Sequence, residues 1–232
     1  MADVMHEQEG VIKFKASHTR SALSDGRHGE AAARLIAWRE ILGKLELVGQ
    51  VDGRYDGAGF GNVSIRVGPF PGAPGRRPFL ISGTQTGGVQ CAALEHFCVV
   101  TSYDVYTTSV ESHGLILPSS ESLTHGAIFD LGAHIRVVLH VHCPVLWQAA
   151  CALNLPTTRK DVPYGTQAMA KEVRRLYRET TLPQRRIFSM AGHEDGIVVF
   201  GRTAQEAGQA LLVNLASAYE AMVREQGKLC RV

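Results

Sequence analysis

The chain has 232 residues, 24 Lys+Arg against 22 Asp+Glu, a formal net charge of +2 and 45% apolar residues. That balance, without a dense Lys/Arg cluster, gives no electrostatic footprint for nucleic acid, and no apolar run reaches the roughly 18 residues needed to cross a bilayer. Five cysteines without a CxxC pair, and a first 30 residues lacking an apolar signal core, fit reduced thiols in a cytoplasmic setting and not a disulfide scaffold.

Residues 1–28 are polar and weakly patterned, so they read as an N-terminal extension, mobile or docked late; 29–232 read as a single domain. Over 29–49 the residues Leu35, Ile36, Trp38, Ile41, Leu42 and Leu45 recur at helical spacing, with Gly49 as a stop. The glycine-rich stretch from Gly53 gives way to alternation at Val63, Ile65 and Val67, a turn entering a strand. Residues 68–78, rich in proline and glycine, predict a loop. Short strands are expected at 79–81, 97–100, 105–110 and 115–117, then a helix over 121–131 capped by Ser119 or Ser120. A strand at 136–142 ends before Pro144. Helices follow at 145–153, 166–177 and 203–223, with strands at 186–190 and 197–200 between the last two. Helices on either side of such a set of strands predict a layered α/β domain.

Four segments carry chemistry. In Arg136-Val-Val-Leu-His-Val-His142 the strand period of two puts Val138, His140 and His142 on one face and Val137, Leu139 and Val141 on the other. Two imidazoles so placed can grip one metal ion, or they can be a hydrogen-bonded pair at the end of a strand. Pro118-Ser-Ser-Glu-Ser-Leu-Thr-His125 reads either as a capped helix with a Glu121–His125 ion pair, or as an anion site at a helix N-terminus. Gly57-Ala-Gly-Phe-Gly-Asn-Val-Ser64 leads into a strand, so it is neither a P-loop nor a dinucleotide fingerprint; its amides and Asn62 can cradle an anion or form a bare turn. Ser82-Gly-Thr-Gln-Thr-Gly-Gly88 offers hydroxyls after a strand. Ala191-Gly-His-Glu-Asp-Gly-Ile197 holds one histidine in a glycine-flanked turn, a third ligand only if the fold brings it to the pair.

Taken in order, Gly61-Asn-Val-Ser64, Ser119-Ser-Glu121 with His125, His140-x-His142 and His193 ahead of Ile197-Val-Val-Phe-Gly201 resemble the class II aldolase/adducin family, over about residues 29–225. Glu121 stands nineteen residues before His140, as in that family. The resemblance implies a three-layer α/β/α fold with a central mainly antiparallel sheet, assembled as a homotetramer with active sites between subunits. It further implies that His140, His142 and His193 hold a divalent metal, most commonly Zn²⁺, and that Glu121 is the general acid/base. Asn62, Ser119 and Ser120 would hold a substrate phosphate, with Ser82, Gly83 and Thr84 assisting. The implied reaction is aldolase-type C–C cleavage of a small phosphorylated sugar or hydroxy-carbonyl compound through a metal-stabilised enediolate.

Dehydration, epimerisation and decarboxylation use the same machinery, and adducins keep the fold as interaction modules without catalysis. A purely structural metal would need a fourth protein ligand, from Cys143 or Glu121. The sequence departs from the sugar-phosphate aldolases at Ile81-Ser-Gly-Thr-Gln-Thr-Gly87, where Thr-Pro-Ser/Thr-Gly is usual. No tyrosine lies between His142 and Tyr164, so Tyr164 is either a substitute proton donor or a packing aromatic. His193 is followed by Glu194 and Asp195, which can alter the metal's surroundings.

Overall fold

The computed structural model describes residues 9–229. Eight strands make one sheet: β1 (Lys15–Arg20), β2 (Asn62–Arg66), β3 (Phe79–Ser82), β4 (Phe97–Asp104), β5 (Ser109–Gly114), β6 (Val137–His142), β7 (Ile187–Ser189) and β8 (Gly196–Gly201). Their spatial order is β1-β5-β4-β3-β2-β6-β8-β7. The sheet is mixed: β1 lies parallel to β5, and every other neighbouring pair is antiparallel. The helices are α1 (Asp25–Lys44), α2 (Ser122–Phe129), α3 (Pro144–Gln148), α4 (Gln167–Glu179), α5 (Leu182–Arg185) and α6 (Ala204–Leu229).

Alternation along the central strands splits the apolar residues between two clusters. Val138, Val198 and Phe200 meet Leu123, Ala127 and Ile128 of α2 and Met169, Val173 and Leu176 of α4. Val137, Leu139 and Val141 meet Leu35 and Leu42 of α1 and Leu211 of α6. The spacing of three and four in Met169, Val173 and Leu176 is what makes α4 one-sided, and the Thr166 hydroxyl starts that helix by accepting the Met169 N–H at 3.2 Å. On α1 only part of the expected apolar stripe is used: Leu35 and Leu42 are buried, whereas Ile41 and Leu45 are exposed. The same helix buries Arg39, whose guanidinium donates to the carbonyls of Thr86, Gly87 and Val89 and so ties the 83–89 loop to the body of the protein.

Three expectations change. The strands at 105–110 and 115–117 are replaced by one hairpin, in which β4 runs to Asp104 and β5 begins at Ser109. Asp104 Oδ1 accepts the N–H groups of Tyr106 and Thr107, a side-chain-stabilised turn that interrupts the apolar run. Leu115 and Leu117 lie exposed outside any strand. The helix expected at 145–153 is only the five residues of α3. Finally, much of the described part of residues 1–28 is built into the fold. β1 forms an edge of the sheet, α1 begins at Asp25, and Phe14 is buried in the same cluster as Val138. No helix among the described residues is long and apolar enough to cross a membrane.

Candidate metal centre and adjoining cleft

β6 is flanked on both sides, with His140 opposite Asn62 of β2 and Val198 of β8, and His142 opposite Gly196 of β8. Both imidazoles are fully buried. The His140 Nδ1–H donates to the Ile197 carbonyl at 3.3 Å, which leaves Nε2 as the bare lone pair. His193 arrives from the tight turn between β7 and β8, where its N–H donates to the Met190 carbonyl and its own carbonyl accepts the Gly196 N–H. A Cβ at Gly196 would lie 2.7 Å from His193 Cδ2, so glycine is what lets this ring fold back over the strand. At Gly61, with φ +73°, a Cβ would lie 3.1 Å from the His140 carbonyl. The glycine before Asn62 therefore serves the close pairing of β2 with β6.

One ring nitrogen from each of His140, His142 and His193 lies within 4.8 Å of the other two. The Nε2 atoms of all three are buried and have no hydrogen-bond partner among the described residues. Burial holds all three rings neutral: His140 is lowered to about 4, and His142 and His193 fall well below the usual histidine range, helped by one another's proximity. Neutral imidazoles offering converging lone pairs are the donor set a divalent ion of intermediate softness takes. An unpaired buried polar atom costs about 1–3 kcal/mol, and a shared cation satisfies all three at once. The residues fit the ion.

Two carboxylates flank the triad. Glu121, at the N-terminus of α2, places Oε1 4.0 Å from His140 Nε2 and 3.9 Å from His193 Nε2. Burial raises its carboxyl to about 8, with the Glu9 charge adding to the shift and the Thr124 hydrogen bond and the Lys13 charge opposing it. Glu9 places Oε2 3.4 Å from His193 Nε2 and 3.8 Å from His142 Nε2, and burial raises it to about 7.

Beside the triad, Asn62, Gly83, Thr84, Ser119 and Ser120 line one cleft, joined there by Glu9 and Gly10. Asn62 is buried, and its Oδ1 has no partner among the described residues. Ser119 Oγ accepts the Glu121 N–H at 3.3 Å, so the first of the two serines seats the carboxylate-bearing residue. Ser82 is placed differently from its neighbours: its hydroxyl accepts the Val63 N–H at 3.1 Å and it does not line the cleft. Gly83 is required sterically, since a Cβ there would fall 2.5 Å from Ile116.

Glu121 and His125 form no ion pair. His125 instead shares a 2.6 Å hydrogen bond with Ser64 Oγ, and burial keeps its ring neutral. Tyr164 is a buried ring 4.8 Å from the His193 ring; its hydroxyl accepts the Val11 N–H and donates to the Val11 carbonyl. Asp195 turns away from the triad to accept the Tyr55 hydroxyl at 2.6 Å, and Tyr55 lays its ring edge-on against His142, centroids 4.6 Å apart. Cys143 packs in the apolar cluster on the other side of the sheet. Two of these neighbours, Glu9 and Tyr55, escape a reading of the sequence: a lone glutamate in a polar tail and a tyrosine in a glycine-rich turn carry no spacing signal. The nearest clue to the first is Glu9-Gly10 itself, a charge next to a residue free to take φ +77°.

No curated protein matches the chain. Among solved structures, the L-fuculose-1-phosphate aldolase from Thermus thermophilus superposes with a TM-score of 0.60 at 18% identity, covering 84% of this chain and 94% of that one. The sugar-phosphate aldolase from Thermotoga maritima gives 0.61 at 15% identity, covering 86% and 97%. The aldolase II superfamily protein from Pseudomonas syringae gives 0.57 at 15%, covering 89% and 79%. At such identities the likeness establishes the fold. The family model for the class II aldolase and adducin N-terminal domain matches residues 51–220, a span that contains the three histidines, Glu121 and most of the cleft beside them. The chain belongs to the class II aldolase and adducin family.

Proposed function

We propose that the chain is a divalent-metal-dependent lyase that cleaves a C–C bond in a small phosphorylated hydroxy-carbonyl compound. The observation that carries this reading is the convergence of three buried, neutral imidazoles, each with an unpartnered Nε2, next to the buried carboxyl of Glu121. A divalent ion, Zn²⁺ by the softness of an all-imidazole set, would be held by His140, His142 and His193 and would supply Lewis acidity for negative charge developing on a substrate oxygen. Glu121 then does the proton work. Its carboxyl carries a proton at neutral pH when the site holds no cation, and a nearby positive charge favours the carboxylate. It can therefore take a proton from the substrate hydroxyl as the bond breaks and return it to carbon afterwards.

Asn62, through its side-chain N–H donors, and the hydroxyls of Ser119 and Ser120 would hold the phosphate, because they face one cleft a few residues from the triad. Gly83 would shape that cleft without donating, since its N–H is already given to the His96 carbonyl. The buried walls around Glu121 exclude bulk water from the proton it handles. The two apolar clusters, one on each side of the sheet, support an α/β/α layering, and assembly as a homo-oligomer is part of the same proposal.

Activity against a panel of sugar phosphates tests the roles. His140→Ala should lose metal and turnover together. Glu121→Gln should keep metal while turnover falls about 10²–10⁴-fold; a fully active Glu121→Gln would overturn its assignment.

A further inference from the structure

The segment 9–14 runs alongside the site as a strap, with Glu9 and Gly10 lining the cleft. Phe14 anchors it in the cluster that also holds Tyr164. Val11 exchanges two hydrogen bonds with the Tyr164 hydroxyl, and Lys13 Nζ lies over the Tyr164 ring, 3.7 Å from its centroid. Gly10 passes against the Gln85 amide so closely that any side chain at position 10 would collide with it. This route brings the Glu9 side chain to the triad, where it is buried and lies closer to His193 than Glu121 does.

Ligands of a tetrahedral ion with bonds of about 2.0–2.1 Å stand about 3.3 Å from one another. Glu9 Oε2, 3.4 Å from His193 Nε2 and 3.8 Å from His142 Nε2, is at about that separation from two members of the triad. Glu121, at 3.9 and 4.0 Å, is farther from its two. We propose that Glu9 is a fourth ligand of the ion held by His140, His142 and His193, supplied by the N-terminal strap; this rests on the reading of the triad as a metal site. The two carboxylates then divide the work: Glu9 completes the resting coordination, and Glu121 is left for proton transfer. The strap is held by an aromatic anchor and the Tyr164 hydroxyl instead of by a strand ladder, so Glu9 is the ligand a substrate displaces.

Co²⁺ binding by the full metal-free chain, read as a dissociation constant and as the visible absorption band, tests this without reference to activity. Glu9→Gln is expected to weaken Co²⁺ about tenfold or more and to shift the band; Glu9→Asp, which keeps the charge with a shorter reach, should fall between. An unchanged dissociation constant and band in Glu9→Gln would overturn the role of Glu9 and leave the triad standing. Co²⁺ binding by His140→Ala as tight as wild type, or none by wild type, would overturn the metal site itself. Equal metal-free melting curves for the Glu9 variants and wild type separate lost ligation from misfolding.

Discussion

His140 is carried by a strand with partners on both sides and a buried apolar row behind it, whereas Glu9 is carried by a few residues tied down through Phe14 and one tyrosine hydroxyl. Moving His140 requires breaking ladder hydrogen bonds and uncovering Val137, Leu139 and Val141 together. Moving Glu9 requires only local release. The two regions meet at one point in space, and they differ in how firmly they are held: the sheet fixes the positions of His140 and His142, and the segment carrying Glu9 is tied down locally.

The contrast can be broken from the sheet side. Leu139→Ala opens a cavity on the face opposite the histidines and should cost about 2–5 kcal/mol in a urea titration. A loss below about 1 kcal/mol would show that the row behind the triad does not hold it. Gly61→Ala is a smaller intervention. The φ of +73° and the close approach to the Val48 side chain and the His140 carbonyl should together cost more than about 1 kcal/mol, and should weaken Co²⁺ binding because the strain falls on the β2–β6 pairing. Stability lost with Co²⁺ affinity unchanged would detach the glycine from the site.

The smallest effect concerns His125. Its folded ring is held neutral well below the usual range, while the unfolded ring titrates near 6.5. Below that pH the unfolded chain takes up a proton that the folded chain refuses, so this group's contribution falls as pH falls. In metal-free protein, His125→Gln should lose less stability than wild type between pH 7.5 and 5.5, by about 1 kcal/mol. Parallel pH profiles would mean that the ring is protonated in the folded state.

The parts of this arrangement that are legible in the sequence are those with a short period. His140 and His142 share a face because a strand repeats every two residues, and Glu121 stands at a helix start ahead of an apolar stretch, although the N-cap is Glu121 itself and neither Ser119 nor Ser120 caps the helix as expected. Where local rules compete, the reading slips. Residues 105–110 look strand-like, but Asp104 captures two backbone N–H groups and makes a turn of the first part. His125 has a carboxylate one helical turn away, yet Ser64, sixty-one residues earlier, holds it because the sheet brings β2 under α2. Glu9 is the extreme case. Nothing near it in sequence indicates histidines, and its place follows from β1 joining an edge of the sheet and the preceding residues running back over the site.

Metal content per chain, measured on untagged protein alongside identically treated His140→Ala, tests the central claim most directly. The account predicts about one divalent ion per wild-type chain and none in the variant. No ion in either, even after incubation with Zn²⁺, Mn²⁺ or Co²⁺, would contradict it and make the three histidines a structural cluster.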